Sequence, residues 1–536
     1  MTTNGLPPDY YRNYFLQMLD LVTERYGDLL STEDWQFIDS IRQCPPEPIR
    51  LLIRLYLRKG PLFLADKLNY EEISNTQTAL TKLIQLSLIE QNPDVFAWEL
   101  ITLLPIAQSR DLFSDTPKIR KADLLTAWLE DETLKSSTDW GVTLPVVMPC
   151  HSENYRRLQL LYFGNDKQNL TEFILEDLGL FQYEKYSLDK TCRLFDRSED
   201  IDHYLELSDL TEQFYLMNET KDWSLTLELA QAVAALELPE RLRSKQYRLL
   251  NKIAYRLEQL GELDNALEIF QSNVQPPSRE RQVRILFKQK KYNTALTLLN
   301  HIAENPYGAD ESIFYDRFIN KVRNKLTLPR LPIAKPTINT MHHQWRRSED
   351  SVEQQACIFF PGSVWLENSL PLGIFGLIHW NIIFQNVPGV WHHPFQSAPT
   401  DLNDPEFVPR RKDTIQHLHQ KTQDQWMLLI RKNWEQKFGL RNPFVNWNVL
   451  SLEIVATCFR AFNKTQWLGI FEHLLSDLRQ HRSGFPDLFQ AKPGQYRFIE
   501  IKGPGDKLQD NQITWLKVFQ RLKIPAEVCY VQYIED

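Results

Sequence analysis

Near the C-terminal end the chain reads FPDLFQAKPGQYRFIEIKG, from Phe485 to Gly503. No other stretch narrows the local fold as much. Its residues alternate with period two on both sides of a Pro-Gly pair, which predicts two strands joined by a turn at KPGQ. On the second strand, Phe498, Glu500 and Lys502 share one face, and Ile499 and Ile501 take the other. An acid and an ammonium therefore point the same way, two residues apart, with Asp487 at the start of the partner strand. TQWLGIFEHLLSDLRQ upstream is a predicted amphipathic helix. Asp506 is predicted to cap a second helix running to about Lys523, with Ile513, Leu516 and Phe519 inward. AEVCYVQYI is a third strand. The order helix, hairpin, helix, strand is that of an α/β unit.

Two carboxylates and a lysine on adjacent strands suit phosphodiester hydrolysis with a hard divalent cation. Mg²⁺ and Mn²⁺ prefer oxygen ligands and need only one or two carboxylates. A lysine beside them can orient a water and offset charge on the reacting phosphate. The E-x-K spacing carries no information alone, because Glu219/Lys221 and Glu435/Lys437 also fit it. Those two lack a strand context and an upstream Pro-Asp. The bland reading of the set is a surface Glu–Lys pair beside an Asp that starts a strand.

At 536 residues the chain needs several cores. A formal charge of −8 excludes a surface that attracts polyanions everywhere, so a nucleic-acid partner needs local basic patches. Six cysteines contain no CxxC pair, which fits reduced thiols in the cytoplasm rather than a disulfide framework or zinc finger. The N-terminus has no signal-peptide pattern. The most apolar run, Ser369 to Phe384, is broken by Pro371, His379 and Asn381 and is too short to span a bilayer. It reads as a buried helix, and no membrane partner is expected.

The organisation expected is mostly helical over the first two-thirds, followed by a C-terminal α/β domain. Residues 1–95 form a helical, winged-helix-like region, in which Arg50, Arg54 and Arg58 recur at i+4 and Asn75 caps a second helix. Residues 96–160 hold a SAP-like pair of helices around a basic turn. Lys118, Arg120 and Lys121 there are either DNA contacts or a solvated loop face. Residues 161–330 read as a degenerate TPR-like solenoid, with Ala266 and Ala295 in equivalent places. Its stretch SRERQVRILFKQKKY places Arg279, Arg281 and Arg284 close together. They are either a solvated face or a phosphate-binding group. The proline-rich Arg323 to Thr340 is the linker into the last domain, 331–536.

The motif GFPDLF…YRFIEIKGPGD…NQITWL…AEVCYV resembles the virus-type replication-repair nuclease (VRR-NUC) domain, a branch of the PD-(D/E)xK superfamily with a restriction-endonuclease-like fold. The wider chain resembles a bacterial form of the Fanconi anaemia-associated nuclease family. SVWLENSLPLGIFGLIHWNIIF, VWHHPFQSAPTDL, RLYLRKGPLFLADKLNYEEI and RLQLLYFGNDKQNLTEFILEDLGLFQYEKY carry that likeness. The resemblance implies metal binding by Glu367, Asp487, Glu500 and the backbone carbonyl of Ile501, with Lys502 catalytic and Gln396 lining the site. It implies a 5′-phosphate pocket with Arg479 and Arg284. It further implies a Mn²⁺- or Mg²⁺-dependent phosphodiesterase, a 5′-flap endonuclease and 5′→3′ exonuclease in interstrand crosslink repair. The partner would be branched or flapped duplex DNA with a 5′ phosphate, met at the bacterial nucleoid. Asn511 stands where many members have a lysine. No ubiquitin-binding zinc finger is discernible. The alternatives are a Holliday-junction-type resolvase, against which the long helical region argues, and a DNA-binding scaffold with a vestigial nuclease.

Overall fold

The computed structural model describes residues 10–58, 60–116, 118–168, 181–273, 275–333, 337–346, 349–492 and 495–534. The expected Pro493-Gly494 turn, part of the proline-rich linker (334–336) and the stretch 169–180 lie outside these. Two compact units are present, Met1–Leu180 with Leu188–Ile201, and Phe181–Ser187 with Asp202–Asp536.

The first unit opens with α1 (Tyr10–Tyr26), α2 (Thr32–Gln43), α3 (Pro46–Tyr56) and α4 (Thr76–Gln85). Ser31 and Asp34 form a capping box on α2, and Asn75 caps α4 by accepting from the Thr78 N–H, as its position predicts. Three short strands follow the winged-helix pattern: β1 (Phe63–Leu64), β2 (Ile89–Gln91) and β3 (Val146–Pro149), antiparallel in the order β1-β3-β2. Two of the three arginines spaced along α3 are committed internally. Arg54 bonds the Glu72 carboxylate at 2.8 Å and Arg50 the Glu72 carbonyl at 3.0 Å. The region expected as two helices contains three: α5 (Ala97–Leu103), α6 (Ile106–Phe113) and α7 (Lys121–Trp128). They close over Leu100, Ile101, Phe113 and Leu124.

In the second unit, helices α8 (Thr226–Ala235), α9 (Glu240–Leu260), α10 (Leu263–Gln271), α11 (Ser278–Lys288), α12 (Tyr292–Glu304) and α13 (Ala309–Lys325) pack in sequence as a solenoid. Ala266 and Ala295 are both fully buried, because a small residue lets successive helices approach closely. Beyond it lies a five-stranded mixed sheet of β4 (Asn339–Arg346), β5 (Ser363–Trp365), β6 (Leu488–Lys492), β7 (Gln495–Lys502) and β8 (Ala526–Ile534). The strand order is β4-β8-β7-β6-β5. β7 and β8 are parallel, joined by helix α17 (Asp510–Arg521), while β6 is antiparallel to both β7 and β5. The C-terminal end of the expected linker is corrected here: Asn339 and Thr340 already pair with β8.

Period two sorts the sheet's side chains onto two cores. Ile499, Ile501 and Leu488 join Trp345, Phe360 and Val531 on one face, under α14 (Val352–Phe359). Phe498 joins the larger core on the other, with α15 (Ser369–Ile378), α16 (Lys464–Ser476) and α17. Phe498 stacks on Phe519 at 5.1 Å, and Phe485 on Trp515 at 3.8 Å. Asp506 does not cap α17. It accepts from the Gly503 N–H inside the turn, and Gln509 is the helix cap, so the helix starts three residues later than Asp506 suggests. Among the described residues, no helix is long and apolar enough to cross a membrane.

Gly484 shows how tightly the Pro-Asp segment is seated. It sits at φ +93, and a Cβ there would lie 2.7 Å from the Asn511 backbone carbon. Gly484→Ala is therefore expected to lower stability by about 1–3 kcal/mol, read as a reduced denaturant midpoint of the full chain.

Candidate hydrolytic centre and anion cavity

The ladder between β6 and β7 ends at Leu488 opposite Ile499, whereas β7 stays paired to β8 through Lys502. Over Glu500, Ile501 and Lys502 one edge of β7 therefore has no strand partner. Asp487 occupies that gap. Its Oδ2 accepts the Ile501 N–H at 2.7 Å. In an extended strand the N–H and C=O of one residue project to the same edge, so the Ile501 carbonyl faces the side where Asp487 sits. Glu500 is 1% exposed and Lys502 7%. Lys502 Nζ lies 2.9 Å from Glu500 Oε1, and Gln512 Nε2 donates to the same oxygen at 2.6 Å. Glu500 Oε2 is buried with no partner among the described residues.

Glu367 reaches this centre through its backbone. Its N–H and that of Leu366 donate to the Asp487 carbonyl, at 3.0 and 3.2 Å. Glu367 does not open a helix. It sits two residues ahead of α15 in the left-handed region, φ +40. Its carboxylate is exposed and accepts the Trp365 indole N–H at 3.1 Å. Among the described residues, no three His, Cys, Asp or Glu side chains are gathered closely enough to hold a metal, so the expected convergence of three acids is not present. Like-charge repulsion explains it: one buried and one half-buried carboxylate already face one ammonium, and a third acid is more stable in water.

A cavity of about 690 Å³ lies beside this centre. Arg284 of α11 and Arg479 both line it, with Arg317, Lys321, Ser483 and Asn511. Asn511 donates to Ser483 Oγ at 3.1 Å, and Arg317 pairs with Asp510.

Two family models match this chain: the VRR-NUC domain over residues 421–533, and the FAN1, HTH domain over residues 9–90. The Fanconi-associated nuclease 1 homolog of Pseudomonas aeruginosa is 32% identical, over 99% of this chain and 97% of that protein. The chain belongs to the Fanconi-associated nuclease family. With that family, it is a structure-specific DNA nuclease. The homologue of Oryza sativa is 24% identical and human Fanconi-associated nuclease 1 is 21% identical. This chain spans 62% and 63% of their respective lengths. A crystal structure of paFAN1 bound to 2nt 5′flap DNA with gap matches at TM-score 0.84 and 32% identity, covering 99% of both chains.

The structure brings together only part of the expected set. Arg281 and Arg279 do not share the cavity with Arg284. Arg281 is paired with the buried Glu258 at 2.8 Å, together with Lys288 at 2.7 Å, and Arg279 with Glu311 at 2.9 Å. Successive helical steps turn these side chains toward different neighbours: buried acids on α9 and α13 capture two of the three, and Arg284 pairs with Glu280 of its own helix at 2.8 Å. Gln396 spends its amide on its own loop. Its Oε1 accepts from the His392 and His393 N–H groups, and its Nε2 donates to the Val390 and Ala398 carbonyls. Lys121 caps the end of α5 by donating to the Thr102 and Leu104 carbonyls, and Arg120 pairs with Asp123. Of the basic turn, Lys118 is left as an exposed cation. Gln512 is the residue that sequence reading missed. The spacing Gln509-x-x-Gln512 at the start of a helix was the available signal.

The electrostatics follow from burial. Burial pushes the Asp487 carboxyl above its ordinary range. The Ile501 N–H bond opposes this, and Glu353 and Glu367 add to it. Burial also pushes Glu500 up, reinforced by Asp487 and opposed by Lys502. Raised carboxyl values mean that the folded state loses stability as pH rises from the ordinary carboxylate range through the raised values. Asp487→Asn leaves one acid facing one ammonium. It should therefore raise the melting temperature at neutral pH by about 1–3 °C, with the gain vanishing as pH falls toward 4. Melting curves across that range check the sign.

Proposed function

We propose that Asp487, Glu500 and Lys502 are the hydrolytic centre of this nuclease, and that it depends on a divalent cation. The observation that carries this reading is one buried and one half-buried acid facing one ammonium at the open edge of β7, with Glu500 Oε2 unpartnered among the described residues. An uncompensated negative charge with an unused buried oxygen fits a hard cation better than any protein donor nearby. Asp487, Glu500 and the Ile501 carbonyl would hold it. A bound Mg²⁺ or Mn²⁺ supplies Lewis acidity for phosphodiester hydrolysis. Lys502, fixed by Glu500, orients the attacking water and offsets charge developing on the phosphate oxygens. Gln512 keeps Glu500 in one rotamer.

The cavity of Arg284 and Arg479 takes the 5′ phosphate of a flap, with Arg317 and Lys321 supplying further positive charge. A terminal phosphate held there, at a set distance from Asp487, makes the enzyme a 5′-flap endonuclease and 5′→3′ exonuclease of interstrand crosslink repair. The solved relatives bound to 5′flap DNA support this substrate class. The first unit grips the duplex through phosphates, with Lys118 among its contacts, so binding weakens with salt. The protein works on chromosomal DNA, in the bacterial nucleoid.

Labelled 5′-flap, 3′-flap and four-way-junction DNA, with Mn²⁺ or EDTA, test the proposal. Lys502→Ala and Asp487→Ala should each slow cutting about 100-fold or more. Undiminished cutting by either variant, or cutting in EDTA, removes the site assignment. Arg284→Ala should lower the preference for 5′-phosphorylated flaps about tenfold, whereas Arg281→Ala leaves it unchanged. Equal cutting of all three substrates by the wild type sinks the phosphate pocket.

A further inference from the structure

Trp365 ends β5, in register with Leu488, the residue that follows Asp487. All fourteen tryptophans of the chain are described, and Trp365 is the exposed one, at 39%. An indole left in water at the rim of a reaction centre is unusual, because tryptophan generally buries its ring. This ring is also restrained. Strand pairing fixes its backbone, and its N–H donates to Glu367 Oε1 at 3.1 Å. Glu367 is in turn fastened by its own N–H to the Asp487 carbonyl, in a left-handed conformation that a non-glycine residue adopts only under constraint. Phosphate contacts need charged or N–H donors, whereas a nucleobase needs a flat apolar face.

We infer that Trp365 is a nucleobase-stacking residue. An unpaired base of the DNA strand, flanking the phosphate at Asp487, Glu500 and Lys502, lies on the exposed face of the indole, and the bond to Glu367 sets the plane of the ring. Trp365 thereby selects substrates whose base at that position is free to leave the duplex. The inference rests on the hydrolytic reading of the neighbouring carboxylates.

The test uses the full chain with 5′-flap DNA in EDTA, carrying 2-aminopurine at each of three positions on either side of the cut. One position should change fluorescence on binding. Trp365→Ala should abolish that change and weaken binding about tenfold, and Trp365→Phe, which keeps a ring but no N–H, should retain it. Replacing that nucleotide with an abasic site should cost the wild type about the same, and cost Trp365→Ala nothing further. The inference is overturned if the wild type binds abasic and base-bearing DNA equally. Equal weakening of both DNAs by Trp365→Ala overturns it too, since the ring would then act only through Glu367. The wild-type comparison decides even if a variant fails to fold. Loss of the hydrolytic reading shows separately, as undiminished Mn²⁺-dependent cutting by Asp487→Ala and Lys502→Ala.

Discussion

The bond from the Ile501 N–H to the Asp487 carboxylate is the contact on which the rest of this centre depends. Where the antiparallel ladder stops at Leu488, β7 would otherwise expose backbone groups that neither water nor a strand satisfies. The carboxylate takes the place of the missing strand. That single substitution brings an acid beside Glu500, aims the Ile501 carbonyl at the same side, and leaves the parallel ladder to β8 to keep the strand straight.

Such a centre is unfavourable by itself, because two acids share one buried ammonium. It persists because both faces of the sheet are clamped. Phe498, Phe519, Trp515 and Phe485 hold the hairpin to α17 on one side. Ile499, Ile501 and Trp345 hold it on the other. Aromatic packing offsets part of the electrostatic cost. The surplus negative charge is retained in a rigid place, which is the requirement for a cation-dependent reaction.

How much of this was legible in the sequence depended on the range of each contact. The hairpin, the shared face of Glu500 and Lys502, and the helix between β7 and β8 were all readable, because periods of 2 and 3.6 are local. The helix start was misplaced by three residues, since Asp506 and Gln509 are both plausible caps and only packing chooses between them. The pairing of Arg281 with Glu258 was beyond reach, because helical spacing gives a face but not the neighbour it meets. The same limit hid Gln512. Glu367 came only from a family likeness, and its contact with Asp487 runs through the backbone, which no residue pattern encodes.

The first turn of α17 serves two places at once. Gln512 points to Glu500, while Asp510 and Asn511 belong to the wall of the arginine-lined cavity. Gln512 directly follows Asn511 in regular helix, about as stiff a connection as a polypeptide offers. A tilt of this turn therefore moves both ends together and leaves their separation nearly unchanged. In the proposed function, the reacting bond and the anchored strand end would stay in calibration whatever the surrounding loops do, as two marks cut on one bar.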